Sequence, residues 1–263
     1  MTDIHTHILP GLDDGAEDYY DSLEMAAMAY ENGTTQIVAT PHCNIPGVYG
    51  NYFGEEYIET FQKTCGVIER EGIPVRLMPG MEVFATIDLP QLLTEGKVMP
   101  LNQTRYVLME FDFGEDPEFA DEILRRVAQV GAWPVIAHVE RYAFVQEEPQ
   151  IISRWIARGY VVQVNKGSFL GRFGRRALQT AYSLLNHNLI SVVASDAHSP
   201  VRRTTCMADA YESLAEEYPV SYLDTLFSVN PERICRGKKV VKFKNIPFRG
   251  EEAQVRSSRD EEA

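Results

Sequence analysis

The chain has 263 residues, of which 44% are hydrophobic and 24% charged, an ordinary composition for a globular protein that buries a large core. A formal net charge of −13 argues against nucleic acid as a partner, because a phosphate backbone is held mainly by basic surfaces. No run approaches the ~20 apolar residues of a membrane span, and the N-terminus lacks the pattern of a signal peptide. The four cysteines lack C-x-x-C spacing, so we expect free thiols in a reducing, cytoplasmic compartment.

Short apolar runs alternate with helix-like segments along the chain. Strands are predicted near residues 2–5, 36–40, 74–78, 106–110, 134–137, 161–164 and 191–195. Helices are predicted near residues 17–32, 55–71, 117–131, 148–158, 172–187, 202–217 and 219–227. Buried strands separated by helices indicate a parallel α/β fold with right-handed crossovers. Seven strands, one fewer than the usual eight, predict a distorted (β/α)7 TIM-like barrel in a single domain.

Two segments are predicted to lie outside these elements. Residues 43–54 are rich in glycine and aromatic residues and directly follow His42. This loop would lie at the C-terminal end of the strands, where barrels build their active sites. Residues 249–263 are charged and nearly devoid of apolar side chains. We therefore expect a disordered tail after a domain of residues 1–248.

Imidazoles and carboxylates end most of the predicted strands. His5 and His7 lie two residues apart, which places both rings on one side of an extended chain, and Asp196 and His198 repeat this spacing. Single residues of the same types end the other runs: His42, Glu82, Glu110 and His138. Because the C-terminal ends of barrel strands share one face, these groups should converge in a metal site with more than one ion. For an individual carboxylate, an ordinary salt bridge is the alternative.

The types of these side chains limit the chemistry. Mixed histidine and carboxylate ligands without thiolates suit Mn, Fe or Zn. The turn Asp13-Asp14-Gly15 could deliver a further carboxylate to the same face. A carboxylate shared by two cations holds them ~3.5–4 Å apart, and a water bound to them ionises near neutral pH and can attack phosphorus. The pattern therefore predicts hydrolysis of a phosphate ester.

Several separated motifs resemble a known superfamily. They are DIHTHILPGLDDGA at 3–16, ATPH at 39–42, PGME at 79–82, AHVERY at 137–142, QVNKGS at 163–168, LGRFG at 170–174 and SDAH at 195–198. Over about residues 2–240 the chain resembles PHP (polymerase and histidinol phosphatase) proteins, and within them the bacterial protein-tyrosine phosphatases of the capsular-polysaccharide type. The resemblance implies a distorted seven-stranded barrel and a three-metal cluster, often active with manganese.

The resemblance also implies nine metal ligands in three groups, two of which share the bridging carboxylate of Glu82. The groups are His5, His7, Glu82 and Asp196; Asp14, His42 and His198; and Glu82, Glu110 and His138. Other branches of the superfamily commonly have histidine in place of Asp14 and Glu110, so acidic residues there favour the tyrosine-phosphatase branch. The chain departs from the usual pattern at Cys43, where a second histidine is common, and at Val139, where proline is common.

Arginine is the side chain expected to orient the phosphate, because a planar guanidinium can donate two parallel hydrogen bonds. Arg141 follows His138 by three residues and matches the family's arginine, so it is our first candidate. Arg203 is preferred to Arg202 as a second candidate; a surface ion pair is the alternative for each. Three aromatic residues after His42 could contact a substrate ring or simply cover the barrel rim: Tyr49, Tyr52 and Phe53.

The expected activity is hydrolysis of phosphotyrosine in proteins. The resemblance implies that the substrate is a bacterial tyrosine autokinase that controls export of capsular polysaccharide or exopolysaccharide. A phosphatase for a small molecule such as histidinol phosphate is one alternative, and a metal-stabilised scaffold that binds phosphorylated partners is another. A cysteine-dependent mechanism is excluded, because the motif His-Cys-x5-Arg would need arginine where the chain has Tyr49.

Overall fold

Parallel strands alternate with helices in the computed structural model, which describes residues 1–248. The strands in these residues are β1 (Thr2–Thr6), β2 (Gln36–Ala39), β3 (His42–Cys43), β4 (Arg76–Pro79), β5 (Glu82–Phe84), β6 (Tyr106–Glu110), β7 (Trp133–Ile136), β8 (Val161–Asn165) and β9 (Val192–Ala194). The longer helices are α1 (Tyr19–Glu31), α2 (Glu55–Arg70), α4 (Pro117–Gln129), α6 (Ile151–Ala157), α8 (Gly174–Asn186) and α9 (Ala208–Ala215). The shorter ones are α3 (Leu89–Thr94), α5 (Ala143–Glu147), α7 (Lys166–Phe169), α10 (Val220–Asp224) and α11 (Asn230–Cys235). The predicted tail at 249–263 lies outside the described residues.

The strands form one curled parallel sheet. β1, β2 and β4 pair in that order, and β3, β5, β6, β7, β8 and β9 pair in a second series. β3 continues the direction of β2 after Thr40-Pro41, and β5 continues β4 after Gly80-Met81, so that the predicted seven strands become nine segments. A parallel bridge between Thr6 and Ala197 brings the end of β1 beside the chain that leaves β9. The predicted distorted barrel is confirmed.

Alternate residues of the strands pack into two separate apolar clusters. In β6, Tyr106 and Leu108 belong to the interior cluster, and Glu110 continues the same face to the C-terminal end of the strand. Val107 and Met109 belong instead to the larger cluster, which contains the buried faces of the helices. This alternation follows from the two-residue period of a strand. It explains why polar groups at the strand ends meet above a closed apolar interior.

β1 departs from this alternation at the point where it delivers its first histidine. The pairing of β1 with β2 shifts register between Asp3 and Thr6. As a result, Ile4 packs in the interior cluster while the next residue, His5, turns its ring toward Glu82. A bulge of this kind re-aims a side chain without ending the strand.

The helix predicted over 202–217 was wrong at its start, because α9 begins only at Ala208. The backbone N–H groups of His198 and Ser199 both donate to the carbonyl of Arg203, which folds this segment into a loop. Short helices α3, α5, α7 and α11 were not predicted. None of the helices within residues 1–248 combines the length and apolar character needed to cross a lipid bilayer.

Candidate metal centre and phosphate site

The nine predicted ligands lie together at the C-terminal ends of the strands. Donor atoms within 4.8 Å of one another form three groups: His5, His7, Glu82 and Asp196; His7, Asp14, His42 and His198; and His42, Glu82 and Glu110. The first group is the set that the motif resemblance implies for one metal. The second contains the three residues implied for another metal, with His7 added.

Glu82 is the centre of the cluster. Its Oε2 atom lies 3.1 Å from His5 Nε2, 3.2 Å from His7 Nε2 and 3.2 Å from His42 Nδ1. Its second oxygen, Oε1, lies 2.9 Å from His138 Nε2. One carboxylate thus faces four imidazoles, which is the arrangement required of a ligand that bridges cations.

The remaining carboxylates surround Glu82 on different sides. Asp14 Oδ1 lies 3.5 Å from His42 Nε2 and 3.4 Å from His198 Nε2, and its side chain is 55% exposed. Glu110 Oε1 lies 2.9 Å from His42 Nδ1, while Glu110 Oε2 lies 3.7 Å from His138 Nε2. His138 therefore lies closer to Glu82 than to Glu110. Asp14 is the most exposed of the nine residues, and the other side chains are largely buried.

Side chains outside the nine hold two of the rings in a defined tautomer. His7 Nδ1 donates to Asp13 Oδ2 at 2.6 Å, and His5 Nδ1 donates to Gln163 Oε1 at 3.1 Å. In the neutral form of each ring the proton is then on Nδ1, so the two Nε2 atoms, 3.3 Å apart, are the ones that can bind a cation. These partners were not assigned this role from the sequence. The turn at Asp13-Asp14-Gly15 and the motif at 163–168 were visible, but neither identifies the ring that it would contact.

β8 contributes amides rather than predicted ligands. Gln163 Nε2 donates to Asn165 Oδ1 at 2.8 Å, and Asn165 Nδ2 donates to Asp196 Oδ2 at 2.6 Å. Gln163 Oε1 also accepts the backbone N–H of His138 at 2.9 Å. This chain of amides links the His5 ring, the backbone of His138 and the Asp196 carboxylate.

Two site residues have left-handed backbone conformations. The φ angle is 33° at His138 and 52° at Asp196, each two residues after the end of a barrel strand. Residues other than glycine adopt this region at an energetic cost, and such strain is concentrated at functional sites. Here it turns each side chain out of the strand direction and into the cluster.

Burial and mutual attraction act in opposite directions on the charges of the cluster. Burial would raise the pKa of Glu82, but the rings of His5 and His42 hold it well below its usual value. Burial likewise opposes protonation of His138, yet Glu110 and Glu82 raise the pKa of His138 to about 10. Burial also disfavours the charged form of Asp196, but His5 and Arg203 lower its pKa well below the usual range. The carboxylates of Glu82 and Asp196 are thus ionised, the form that binds cations.

Several buried atoms of the cluster make no hydrogen bond with any described residue. They are His42 Nδ1, Glu82 Oε2, Glu110 Oε1, His138 Nδ1 and His198 Nε2. Buried polar atoms are almost always satisfied in proteins, so this concentration calls for a missing partner. Imidazole and carboxylate donors directed at common points, without a thiolate, fit divalent cations of the Mn, Fe or Zn type. The residues present therefore fit the implied metal cluster.

The two predicted arginines lie beside Asp196. Arg203 Nη2 makes a close ion pair with Asp196 Oδ2, and Arg203 Nε donates to the Asp196 carbonyl at 3.1 Å. Arg141 is held less tightly, since its Nη1 lies 3.7 Å from the same Oδ2. Arg202, the alternative to Arg203, is exposed, and its carbonyl accepts a hydrogen bond from Arg172.

A cavity of about 270 Å³ adjoins the cluster and both arginines. Its apolar wall is formed by residues that were not singled out from the sequence: Ile45, Phe84, Phe111 and Phe113. Of the three predicted aromatic residues, Tyr49 stacks on His42 with ring centres 5.8 Å apart. Tyr52 donates to Asn44, and Phe53 packs against Tyr57. These three residues do not line the cavity.

Cys43 follows His42 but is fully buried and belongs to the apolar core. Burial raises the pKa of the Cys43 thiol to about 12, so the reactive thiolate is scarce at neutral pH. This agrees with the exclusion of a cysteine-dependent mechanism.

Named relatives are similar in sequence over most of this chain. Tyrosine-protein phosphatase YwqE of Bacillus subtilis (strain 168) is 36% identical over 240 residues, which cover 91% of this chain and 93% of that protein. Tyrosine-protein phosphatase CpsB of Streptococcus pneumoniae is 29% identical over 239 residues, with 89% of this chain and 98% of that protein covered.

A solved structure extends the similarity to three dimensions. It is described as YwqE from Bacillus subtilis and CpsB from Streptococcus pneumoniae, unique metal-dependent tyrosine phosphatases. It matches this chain with a TM-score of 0.87 and 34% identity, over 95% of this chain and 100% of the other. Residues 1–236 match the family described as Capsular polysaccharide synthesis, CpsB/CapC. The chain therefore belongs to the CpsB/CapC family, as the motif resemblance predicted.

Proposed function

We propose that this protein is a metal-dependent protein-tyrosine phosphatase, that is, a phosphoric monoester hydrolase acting on phosphotyrosine in proteins. The observation that carries the proposal is the position of Glu82, whose carboxylate faces four imidazoles beside Arg141 and Arg203. The named relatives are tyrosine-protein phosphatases, which supports this substrate class over a small metabolite.

We further propose three divalent cations, manganese by preference, held by the nine residues in the groups that the motif resemblance implies. Glu82 would be shared between two cations, and Asp14 is the ligand nearest to solvent. When bound, the cations would neutralise the charge of the phosphate and make water a nucleophile near neutral pH. Asp13 and Gln163 would keep the rings of His7 and His5 in the tautomer that binding requires.

The arginines would bind the phosphate itself. Arg141 has donors that are only weakly engaged, so it can form parallel hydrogen bonds with two phosphate oxygens. Arg203 is tied to Asp196 and would contribute mainly its charge. The leaving group is a phenol with a pKa of ~10, which departs with less help from an acid than an alkyl alcohol does. A dedicated general acid is therefore unnecessary in this proposal.

The proposed partner is a bacterial tyrosine autokinase of capsule or exopolysaccharide export, met in the cytoplasm. The description of the family as capsular polysaccharide synthesis proteins supports this assignment. We also propose that residues 1–248 form the single folded domain and that 249–263 is an appended tail.

The test is phosphate release by manganese-loaded protein from a phosphotyrosyl peptide, compared with a phosphoseryl peptide and histidinol phosphate. We expect the phosphotyrosyl peptide to be strongly preferred, chelation to abolish turnover, and iodoacetamide to leave it unchanged. Preference for histidinol phosphate would favour the small-molecule alternative, and peptide binding without release would favour a scaffold. Glu82→Gln should lose both metal and turnover, whereas Glu122→Gln on the exposed surface of α4 should keep both.

A further inference from the structure

We propose that two phenylalanines, Phe113 and Phe173, position the guanidinium of Arg141 for phosphate binding. They act through Arg141 and are positioning residues, not catalytic ones. The inference rests on the proposed function, in which Arg141 binds the phosphate of phosphotyrosine.

The guanidinium of Arg141 lies over the faces of both rings. Its guanidinium carbon, Cζ, is 4.2 Å from the centre of the Phe113 ring and 4.5 Å from the centre of the Phe173 ring. Both distances are well inside the ~6 Å limit for attraction between a cation and an aromatic face. The rings come from distant parts of the chain, Phe113 from the loop after β6 and Phe173 from the residue before α8. The contact is therefore a product of the fold.

Arg141 needs this support because its ion pair is weak. The distance from Arg141 Nη1 to Asp196 Oδ2 is 3.7 Å, beyond a hydrogen bond, whereas Arg203 makes a close ion pair with the same oxygen. Rings on either side of a guanidinium cover its apolar surfaces and leave the N–H groups free at its edge. Those N–H groups are the ones that bind two oxygens of a phosphate.

Phe173 also contacts the second arginine and rests on a glycine. The Cζ atom of Arg203 lies 5.5 Å from the centre of the Phe173 ring, farther than that of Arg141, and Arg203 is held by its ion pair with Asp196. A Cβ atom on Gly167 would lie 2.9 Å from Phe173 Cε2, closer than side chains tolerate. The absence of a side chain at Gly167 thus allows Phe173 to reach its place between the arginines.

The experiment measures binding of inorganic phosphate to manganese-loaded protein by calorimetry, together with kcat and KM for a phosphotyrosyl peptide. Phe173→Leu keeps an apolar side chain but removes the ring, and we expect phosphate to bind about tenfold more weakly. Phe173→Tyr keeps the ring and should retain nearly full affinity. Phe113→Leu should behave like Phe173→Leu. Gly167→Ala keeps the Phe173 ring but should displace it, and we expect it to weaken binding as well.

A double variant separates positioning from general damage. In an Arg141→Ala background, Phe173→Leu should cause little further loss, because the group that it positions is gone. Phe61→Leu, on the far helix α2, is the matched control and should leave phosphate binding unchanged. Full phosphate affinity in Phe173→Leu, or an equal loss with and without Arg141, would overturn the inference. If Arg141→Ala itself binds and turns over normally, the proposed role of Arg141 has failed instead.

Discussion

Arg141 and Arg203 are alike in charge and position in the sequence pattern, yet Asp196 holds them to different degrees. A guanidinium whose charge is already neutralised by a buried carboxylate binds a phosphate more weakly than one without such a partner. These contacts give a physical reason to rank Arg141 before Arg203, which is the order that the sequence suggested. Asp196 Oδ1 faces His5 and His7, and Asp196 Oδ2 faces the two arginines, so one side chain contacts both the predicted metal ligands and the predicted phosphate-binding residues.

Replacing Arg141 by alanine is expected to reduce kcat/KM for a phosphotyrosyl peptide by roughly 100- to 1000-fold, as when one charge-stabilising donor is lost elsewhere. Folding and metal content should be unchanged, because Arg141 is partly exposed and no predicted metal ligand depends on it for a close hydrogen bond. Peptide kinetics, circular dichroism and metal analysis provide the measurements. Arg125→Ala on α4, which only loses a surface ion pair with Glu122, is the control. Near-normal turnover in Arg141→Ala would remove the phosphate-binding assignment.

Among single residues, the sequence identified those whose side chains can bind a metal or carry a charge. Histidines and carboxylates at the ends of apolar runs are costly to bury without partners, so they stand out. Asp13, Gln163 and Phe173 do not, because each has an ordinary structural use. Their roles depend on contacts with His7, with His5 158 residues earlier in the chain, and with Arg141. Spacing along the chain does not encode such contacts.

Among the elements, the break between β4 and β5 shows how the fold positions Glu82. β4 ends at Pro79, and β5 begins at Glu82 in the second series of paired strands. A Cβ atom at Gly80 would lie 2.7 Å from Val38 Cγ1, so the backbone here approaches its neighbour too closely for any side chain. The break directs Glu82 into the metal centre. Without the break, the chain would have continued β4 and remained paired with β2.

Tyr57 of α2 stabilises this break. Its hydroxyl donates to the Gly80 carbonyl and accepts from the Gly80 N–H, both at 3.0 Å, and it is 4% exposed. Tyr57→Phe would leave two buried backbone groups unsatisfied, so we expect a loss of about 2 kcal/mol in unfolding free energy. Urea unfolding of the metal-free protein and of the variant would measure this loss of unfolding free energy. Tyr30→Phe, at a 45% exposed position on α1, is the control and should change little. Equal stability of Tyr57→Phe and the parent protein would refute this role.

The order of strands and helices was predictable, but several of their ends were not. Apolar runs of strand length are visible in the sequence, and their alternation with helical periodicity leads to a barrel. The start of α9 depends on hydrogen bonds from His198 and Ser199 to the Arg203 carbonyl, which no local pattern reveals. The breaks after β2 and β4 likewise arise from packing between strands.

For the molecule as a whole, the metal centre joins the beginning of the described chain to its last strands. Asp3 Oδ1 accepts the backbone N–H of Ser195, and the N–H of Asp196 donates to the His5 carbonyl. The predicted metal ligands, from His5 to His198, come from both of the chain segments that these hydrogen bonds join. Binding of cations to these groups would therefore stabilise the complete barrel, since the unfolded chain does not offer a preformed site.

Protons compete with cations for this site. In the metal-free protein, burial opposes protonation of His138 and His7, but neighbouring carboxylates raise the pKa of His138 to about 10 and that of His7 well above its usual value. Both rings are thus protonated at neutral pH and must lose a proton before they can coordinate a metal. Glu82 and Asp196, whose pKa values are lowered, are already ionised and release none.

Manganese affinity should therefore increase with pH, by about tenfold per pH unit for each proton released. Between pH 6.5 and 8.5, one released proton corresponds to about 100-fold tighter binding. Calorimetric titration in two buffers of different protonation enthalpy would count the protons directly. His187→Ala is the matched control, because this histidine lies outside the cluster and bonds the Ile246 carbonyl, so the pH dependence should persist. An affinity that does not change with pH would mean that the rings are already neutral, and that the cluster is organised by something other than the attraction between its imidazoles and carboxylates.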